Sequence, residues 1–281
     1  KGVAAKLLGI DSIRLEWMIK KTAKKRKPIH YFSANKISLE VDRIASDPSS
    51  ENVIGYVEGT DLKDEYIVIS AHYDHLGMHK GKIFYGADDD GSGTVALLEL
   101  AEAFSLAKRS GFAPRRSIIF CAFSGEEKGL LGSSYFVKNS LVPLNKIVLN
   151  LNIDMIGRLD STYTAQNNAN YVYPIGSNKL SSGLKPLLEQ CNNTYTHLKL
   201  DYRYDDPEDK NRFYYRSDHY NFAKNDIPVV FFFNGTHADY HKSTDTIEKI
   251  NFAKMQTITR LVYYLAWQAA SQNERLKVDL K

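Results

Sequence analysis

Residues 66–75 read Tyr-Ile-Val-Ile-Ser-Ala-His-Tyr-Asp-His. A short, nearly apolar run stops on a cluster of imidazole and carboxylate groups. Three more runs of strand length share the pattern: Ser117 to Phe123, Ile147 to Ile153 and Pro228 to Phe233. Runs that do not alternate with polar residues suit strands buried on both faces, as in a sheet covered by helices. The stretches Thr94 to Arg109 and Phe252 to Gln272 are helix-length and rich in apolar residues. The class expected is therefore α/β. Open sheets of that class place their ligand sites just beyond the carboxyl ends of the strands, so the residues just past each run carry the functional information.

The 281 residues are 43% hydrophobic and 25% charged, as in an ordinary globular chain, which excludes disorder, collagen and coiled coil. One large domain is expected rather than two small ones. No apolar run approaches the roughly 18 to 20 residues of a membrane helix, so no membrane partner is expected. The net charge of +4 is concentrated at the start, because residues 1–27 carry nine basic and two acidic side chains and the remainder is slightly acidic. Nucleic acid is therefore not an expected partner. Asp11 to about Lys27 reads as an N-terminal helix with an aspartate cap and a solvated basic end. Lys36 to Ile44 alternates, Ser46-Asp47-Pro48-Ser49-Ser50 breaks the pattern, and Asn52 to Glu58 comes next, which reads as a hairpin. Residues 160–221 are rich in Asn, Tyr, Ser and charge, and read as helix plus a variable wall beside the site. Cys121 and Cys191 are too few for a disulfide framework.

The four runs lead into His72-Tyr73-Asp74-His75, Ser124-Gly125-Glu126-Glu127, Asp154, and Asn234-Gly235 with Tyr240-His241 beyond. A fifth segment, Asp88-Asp89-Asp90-Gly91-Ser92-Gly93, opens the long helix. Three adjacent aspartates repel one another, and a helix N-terminus offsets only about 0.3 to 1 kcal/mol per carboxylate. A cation would relieve the rest. Imidazole with carboxylate and no thiolate favours zinc or a similar ion over magnesium or calcium. His72, Asp89, Glu127, Asp154 and His241 make five donors. A catalytic zinc uses about three and keeps an open position, so five fit two ions if one carboxylate is shared. Asp89, central in its triplet, is the best bridge. Of the neighbours Glu126 and Glu127, one binds and the other moves protons. Asp74, two residues past His72, is placed to meet the imidazole N–H and fix its tautomer.

These segments, with Gly86-Ala87 before the aspartates, Asn152-Ile153 before Asp154 and Lys242 after His241, resemble the M28 zinc metallopeptidases, which include bacterial secreted aminopeptidases. The resemblance runs in order from about Asn52 to Gln272. It implies a central mixed, mostly parallel sheet flanked by helices on both faces, the zinc-dependent exopeptidase fold. It implies two Zn2+ ions, one held by His72 and Asp154, the other by Glu127 and His241, with Asp89 bridging. It makes Glu126 the general base, Asp74 the partner of His72 and Tyr240 a stabiliser of the oxyanion. It points to a cis peptide at Asp89–Asp90. By the same resemblance residues 1–30 look like the tail of a preceding protease-associated domain or a connecting segment, residues 31–281 form the catalytic domain, and the protein acts outside the cell or in the periplasm.

The reading is a two-zinc exopeptidase taking N-terminal residues, large apolar ones first, from a peptide substrate, with a monomer as the expected state. The alternatives are a carboxypeptidase of the same fold, a single-zinc glutaminyl cyclase and an inactive receptor-like protein. Arg158, Arg203, Arg212 and Arg216 are candidates for binding substrate carboxylates. Ser217-Asp218-His219 reads as wall rather than a serine triad, since contiguous residues do not generally adopt that geometry.

Overall fold

A computed structural model describes residues 2–31, 36, 38 and 49–280. The chain divides into two compact units, residues 1–48 and 49–281. In the first, α1 (Gly2–Leu8) precedes α2 (Ser12–Lys25). The Asp11 side chain accepts from the Arg14 amide at 2.7 Å, the cap expected from the sequence, and Arg26 ends the helix in the left-handed conformation. The first arm of the expected hairpin, apart from residues 36 and 38, lies outside the described residues.

The second unit runs β1 (Val53–Val57), β2 (Leu62–His72), β3 (Gly77–His79), β4 (Lys82–Phe84), α3 (Gly91–Arg109), β5 (Arg116–Phe123), α4 (Leu131–Lys138), β6 (Ile147–Ile153), α5 (Ser161–Ala165), β7 (Tyr171–Ile175), α6 (Leu184–Cys191), β8 (Lys199–Leu200), α7 (His219–Ala223), β9 (Val229–Phe233) and α8 (Phe252–Ser271). Seven strands form one sheet in the order β1-β5-β2-β6-β9-β7-β8, and β3 pairs with β4 separately. The central β5, β2, β6 and β9 are parallel, whereas β1 and β7 join antiparallel at the flanks.

The four apolar runs are the four central strands, buried because helices cover both faces. Ile67, Ile69, Ile118, Phe120, Leu149 and Leu151 pack on the side of α3, α6 and α8. Their neighbours Val68, Ile119, Cys121 and Phe123 face the other way, toward Phe136 of α4 and Phe222 of α7. That alternation is the two-residue period of a strand with an apolar partner on each side. Helix α8 buries Ile258, Leu261, Val262, Leu265, Ala266 and Ala269, a stripe at helical spacing.

Residues 160–221 contribute more to the fold than a wall. Both β7 and β8 lie there and extend the sheet, and Met155, Tyr163, Tyr171, Tyr173 and Phe213 pack with Phe231 and Phe233 of β9. Pro174 hides this strand from a sequence reading, because proline is rare inside sheets. It pairs with Phe232 of β9, and β8 ends its pairing at Val172, leaving no ladder on that side for proline to break.

One glycine decides how closely α3 approaches β6. A Cβ on Gly93 would lie 2.4 Å from both the Ile153 carbonyl oxygen and Asp90 Oδ1. Gly93→Ala should therefore destabilise the protein by about 1–3 kcal/mol, the usual cost of overpacking. Urea unfolding measures this, and an unchanged midpoint would contradict the close seating of the helix.

Candidate metal centre

The carboxyl ends of the parallel strands deliver the site. His72 is the last residue of β2, Asp154 comes directly after β6, and Glu126 and Glu127 lie past β5 after Gly125, whose φ of 71° turns the chain sharply. The loop after β9 supplies Tyr240 and His241.

The three aspartates divide their work. Asp90 caps α3 through Oδ1, which accepts from the amides of Gly93 and Met155, while its Oδ2 accepts from the His72 amide. Asp88 accepts from the Gly157 amide and from Asn234 Nδ2, and lies 3.2 Å from His237 Nε2. Both tie loops together. Asp89 alone faces the centre, and the peptide joining it to Asp90 is cis.

Asp89 presents its two oxygens to two different groups. Oδ1 lies 3.4 Å from His72 Nε2, which in turn is 3.7 Å from Asp154 Oδ1. Oδ2 lies 3.1 Å from His241 Nε2, which is 3.3 Å from Glu127 Oε2. A tetrahedral zinc with bonds of about 2.0–2.2 Å has donor-to-donor edges of about 3.3–3.6 Å. The separations match that scale. His72 Nε2, Asp89 Oδ2 and Glu127 Oε1 are buried without a hydrogen-bond partner among the described residues, a costly state that a shared cation relieves. With imidazole and carboxylate donors and no thiolate, the residues fit zinc.

The charges respond to this crowding. Burial disfavours the charged form of His72, but Asp154, Asp74 and Asp89 outweigh it and hold the pKa well above the ordinary value. Burial, then Asp154, Asp218 and Glu127, push the Glu126 carboxyl up to about 9, with His72 opposing. Ligand groups that would otherwise take up protons give them up to a metal ion.

The Asp74 carboxylate accepts the amides of Glu126 and Glu127 at 3.1 and 3.3 Å. It lies 3.6 Å from His72 Nδ1, and the Asp74 carbonyl is nearer at 3.0 Å. Asp74 thus ties the end of β2 to the end of β5. Tyr240 stacks on His241 with ring centres 3.9 Å apart, and its hydroxyl accepts from Arg216 Nη2 at 3.2 Å. Arg216 lines the pocket beside Asp89, Glu126 and Asp154, with Met155, Phe213, Phe231 and Phe233 as apolar walls. The other arginines are engaged elsewhere: Arg158 with Asp239 and Asp245, Arg203 with Asp201, and Arg212 over the Tyr215 ring.

Two residues at the centre were not expected from the sequence. Ser217 Oγ donates to Asp154 Oδ2 at 2.6 Å and accepts from Asn152 Nδ2, linking the carboxylate to the sheet. His75 Nδ1 lies 2.9 Å from Glu127 Oε1. Its only sequence signal is a second imidazole three residues after His72. Asp218 accepts from Ser133 Oγ, neither ring nitrogen of His219 has a hydrogen-bond partner among the described residues, and Ser217 Oγ is taken by Asp154, so the three form no triad.

The profile of Peptidase family M28 matches residues 52–266. A probable glutamate carboxypeptidase of Zea mays is 39% identical over 104 residues, 37% of this chain and 14% of that protein. The LapA aminopeptidase of Legionella pneumophila superposes with a TM-score of 0.63 at 27% identity, over 79% of this chain and 56% of that one. A zinc aminopeptidase of Bacillus subtilis gives 0.61 at 25%, over 81% and 52%. The chain spans about half the length of these structures and a smaller part of the curated relative. The profile covers most of the chain, from the residue before β1 into α8, and takes in every donor of the centre: the chain belongs to peptidase family M28.

Proposed function

We propose that this protein is a two-zinc exopeptidase that removes N-terminal residues from peptides, acting outside the cell or in the periplasm. The observation that carries the reading is the Asp89 carboxylate, whose two oxygens face two separate imidazole–carboxylate pairs. His72, Asp154 and Asp89 would hold one ion, and Glu127, His241 and Asp89 the other. Bound there, two divalent ions lower the pKa of water toward neutrality and polarise a carbonyl. Glu126, with Oε2 4.0 Å from His72 Nε2, accepts the proton of the attacking water and returns it to the leaving amine. Asp74 orients His72 and the Glu126–Glu127 turn, and Tyr240 donates its phenolic hydrogen to the developing oxyanion. The apolar walls favour a large apolar first residue.

A carboxypeptidase reading has one specific observation in its favour. Arg216 faces the same pocket without a carboxylate partner in an ion pair among the described residues, and could take a substrate carboxylate. Five convergent donors speak against a single-zinc cyclase, and a receptor would have no use for Glu126. Rates on aminoacyl anilides and on N-terminally blocked peptides with free C-termini separate the readings. Turnover of anilides supports the aminopeptidase, and cleavage confined to the blocked peptides overturns it.

Glu126→Gln should lower kcat by about 10²- to 10⁴-fold, the usual contribution of an acid–base group, with metal content near two per chain. Retained turnover removes Glu126 from that role. Asp89→Ala should lose both ions together in elemental analysis, whereas one tightly held zinc would contradict the bridge.

A further inference from the structure

Asp245 stands at the far end of the loop that carries Tyr240 and His241, and its side chain is fully buried. The two-zinc mechanism makes no use of it, yet its contacts converge on the bridge. Oδ2 accepts the amides of Asp88 and Asp89 at 3.0 and 3.3 Å, and the Asp245 carbonyl accepts the Ala87 amide at 3.3 Å. The amides of residues 87–89 thus all end on one residue. Hydrogen bonds to an ionised carboxylate are the strong ones, and two of them on one oxygen fix the chain that donates them.

The other oxygen reaches a further donor segment. Oδ1 lies 3.5 Å from Arg158 Nη1, and neither atom has a hydrogen-bond partner among the described residues, so the two buried charges answer each other. Arg158 follows Asp154 on the loop after β6, and its Nη2 donates at 2.8 Å to Asp239, just before Tyr240 and His241. The segments that supply Asp89, Asp154 and His241 are distant in the chain and meet around this carboxylate. Asp89 is held from its other side as well, since Asp90 accepts the amides of His72, Gly93 and Met155. Between two such anchors the bridge has little freedom to shift toward one imidazole at the expense of the other.

We infer that Asp245 is the positioning residue of the bridging carboxylate: by accepting the amides of Asp88 and Asp89 it sets where Asp89 stands between the two donor pairs, and it ties to that point the loops bearing Asp154 and His241. The inference rests on the two-ion reading and names what holds the bridge in place. Because both ions share Asp89, a displaced bridge weakens both. A contact that serves a single donor, such as Ser217 on Asp154, weakens one. The role belongs to the acceptor oxygen, which the side-chain carbonyl of an asparagine also offers.

The test is metal binding rather than turnover. Metal-free protein is titrated with zinc in a chelator buffer, alongside Asp245→Ala, Asp245→Asn and Ser217→Ala, with circular dichroism to check folding. The parent should bind two ions. Asp245→Ala should weaken both constants at least about tenfold, since outer partners of metal ligands are worth about 10–100-fold. Asp245→Asn should keep both near the parent's values, and Ser217→Ala should weaken one alone. In the metal-free parent, NMR should show couplings across hydrogen bonds between the Asp245 carboxyl carbon and the amide nitrogens of Asp88 and Asp89. That result needs no variant and so decides even if Asp245→Ala misfolds. Parent-like constants in Asp245→Ala, a loss there confined to one ion, Asp245→Asn as weak as Asp245→Ala, a Ser217→Ala that lowers both constants alike, or absent couplings in the parent overturn the inference. A parent that binds one ion overturns the two-ion reading itself, while a two-ion parent indifferent to Asp245 overturns only this step.

Discussion

The centre depends on one buried carboxylate shared in two directions. Asp89 stands between His72 and His241, and further acid groups crowd around it from β5, β6 and the start of α3. Buried charges of one sign repel strongly where water is excluded, and protons or cations must enter to make the arrangement tolerable. Divalent ions suit the site better than protons, because the donor separations have the scale of a zinc coordination shell and several donor atoms have no other partner.

The fold serves that constraint through ties running back from the centre into the sheet. Asn150 and Ser70 meet between β6 and β2, Ser70 donates to Asn152, Asn152 donates to Ser217, and Ser217 donates to Asp154. This polar thread inside an otherwise apolar sheet fixes one donor without a loop that can drift. Asp88 and Asp90 do the same for the loops after β6 and β9 and for the amide of His72, and the approach of α3 at Gly93 lets Asp90 reach its targets. Metal sites hold their geometry through such outer contacts as much as through the donors. The geometry of the centre is thus held by residues outside the set of candidate donors.

Much of this is legible in the amino-acid sequence. The four unalternating runs are the central parallel strands, since burial on both faces leaves a direct mark on composition, and the donors sit beyond them because parallel strands end on one edge. The cap at Asp11 is legible because it is local. The features that escape a sequence reading depend on partners distant in the chain. Strand β7 reads poorly because Pro174 is admissible only where β8 has stopped pairing. The sequence singles out Asp89 by its central place in the triplet, but that Asp88 and Asp90 clamp loops is not legible, because their partners depend on where distant amides lie. His75 stands in plain view beside His72, but its direction is set by Gly86 and His241. Asp74 lies beside His72, but its carbonyl is nearer Nδ1 than its carboxylate is, and the main partners of that carboxylate, the amides of Glu126 and Glu127, come from another strand.

Where ions sit relative to the Asp89 carboxylate is the question on which the two-zinc reading stands. Anomalous diffraction at the zinc edge, from crystals of zinc-loaded protein, locates them directly. Two peaks are expected, one near each oxygen of Asp89, the first beside His72 and Asp154 and the second beside Glu127 and His241. A single peak, or peaks away from Asp89, would contradict it.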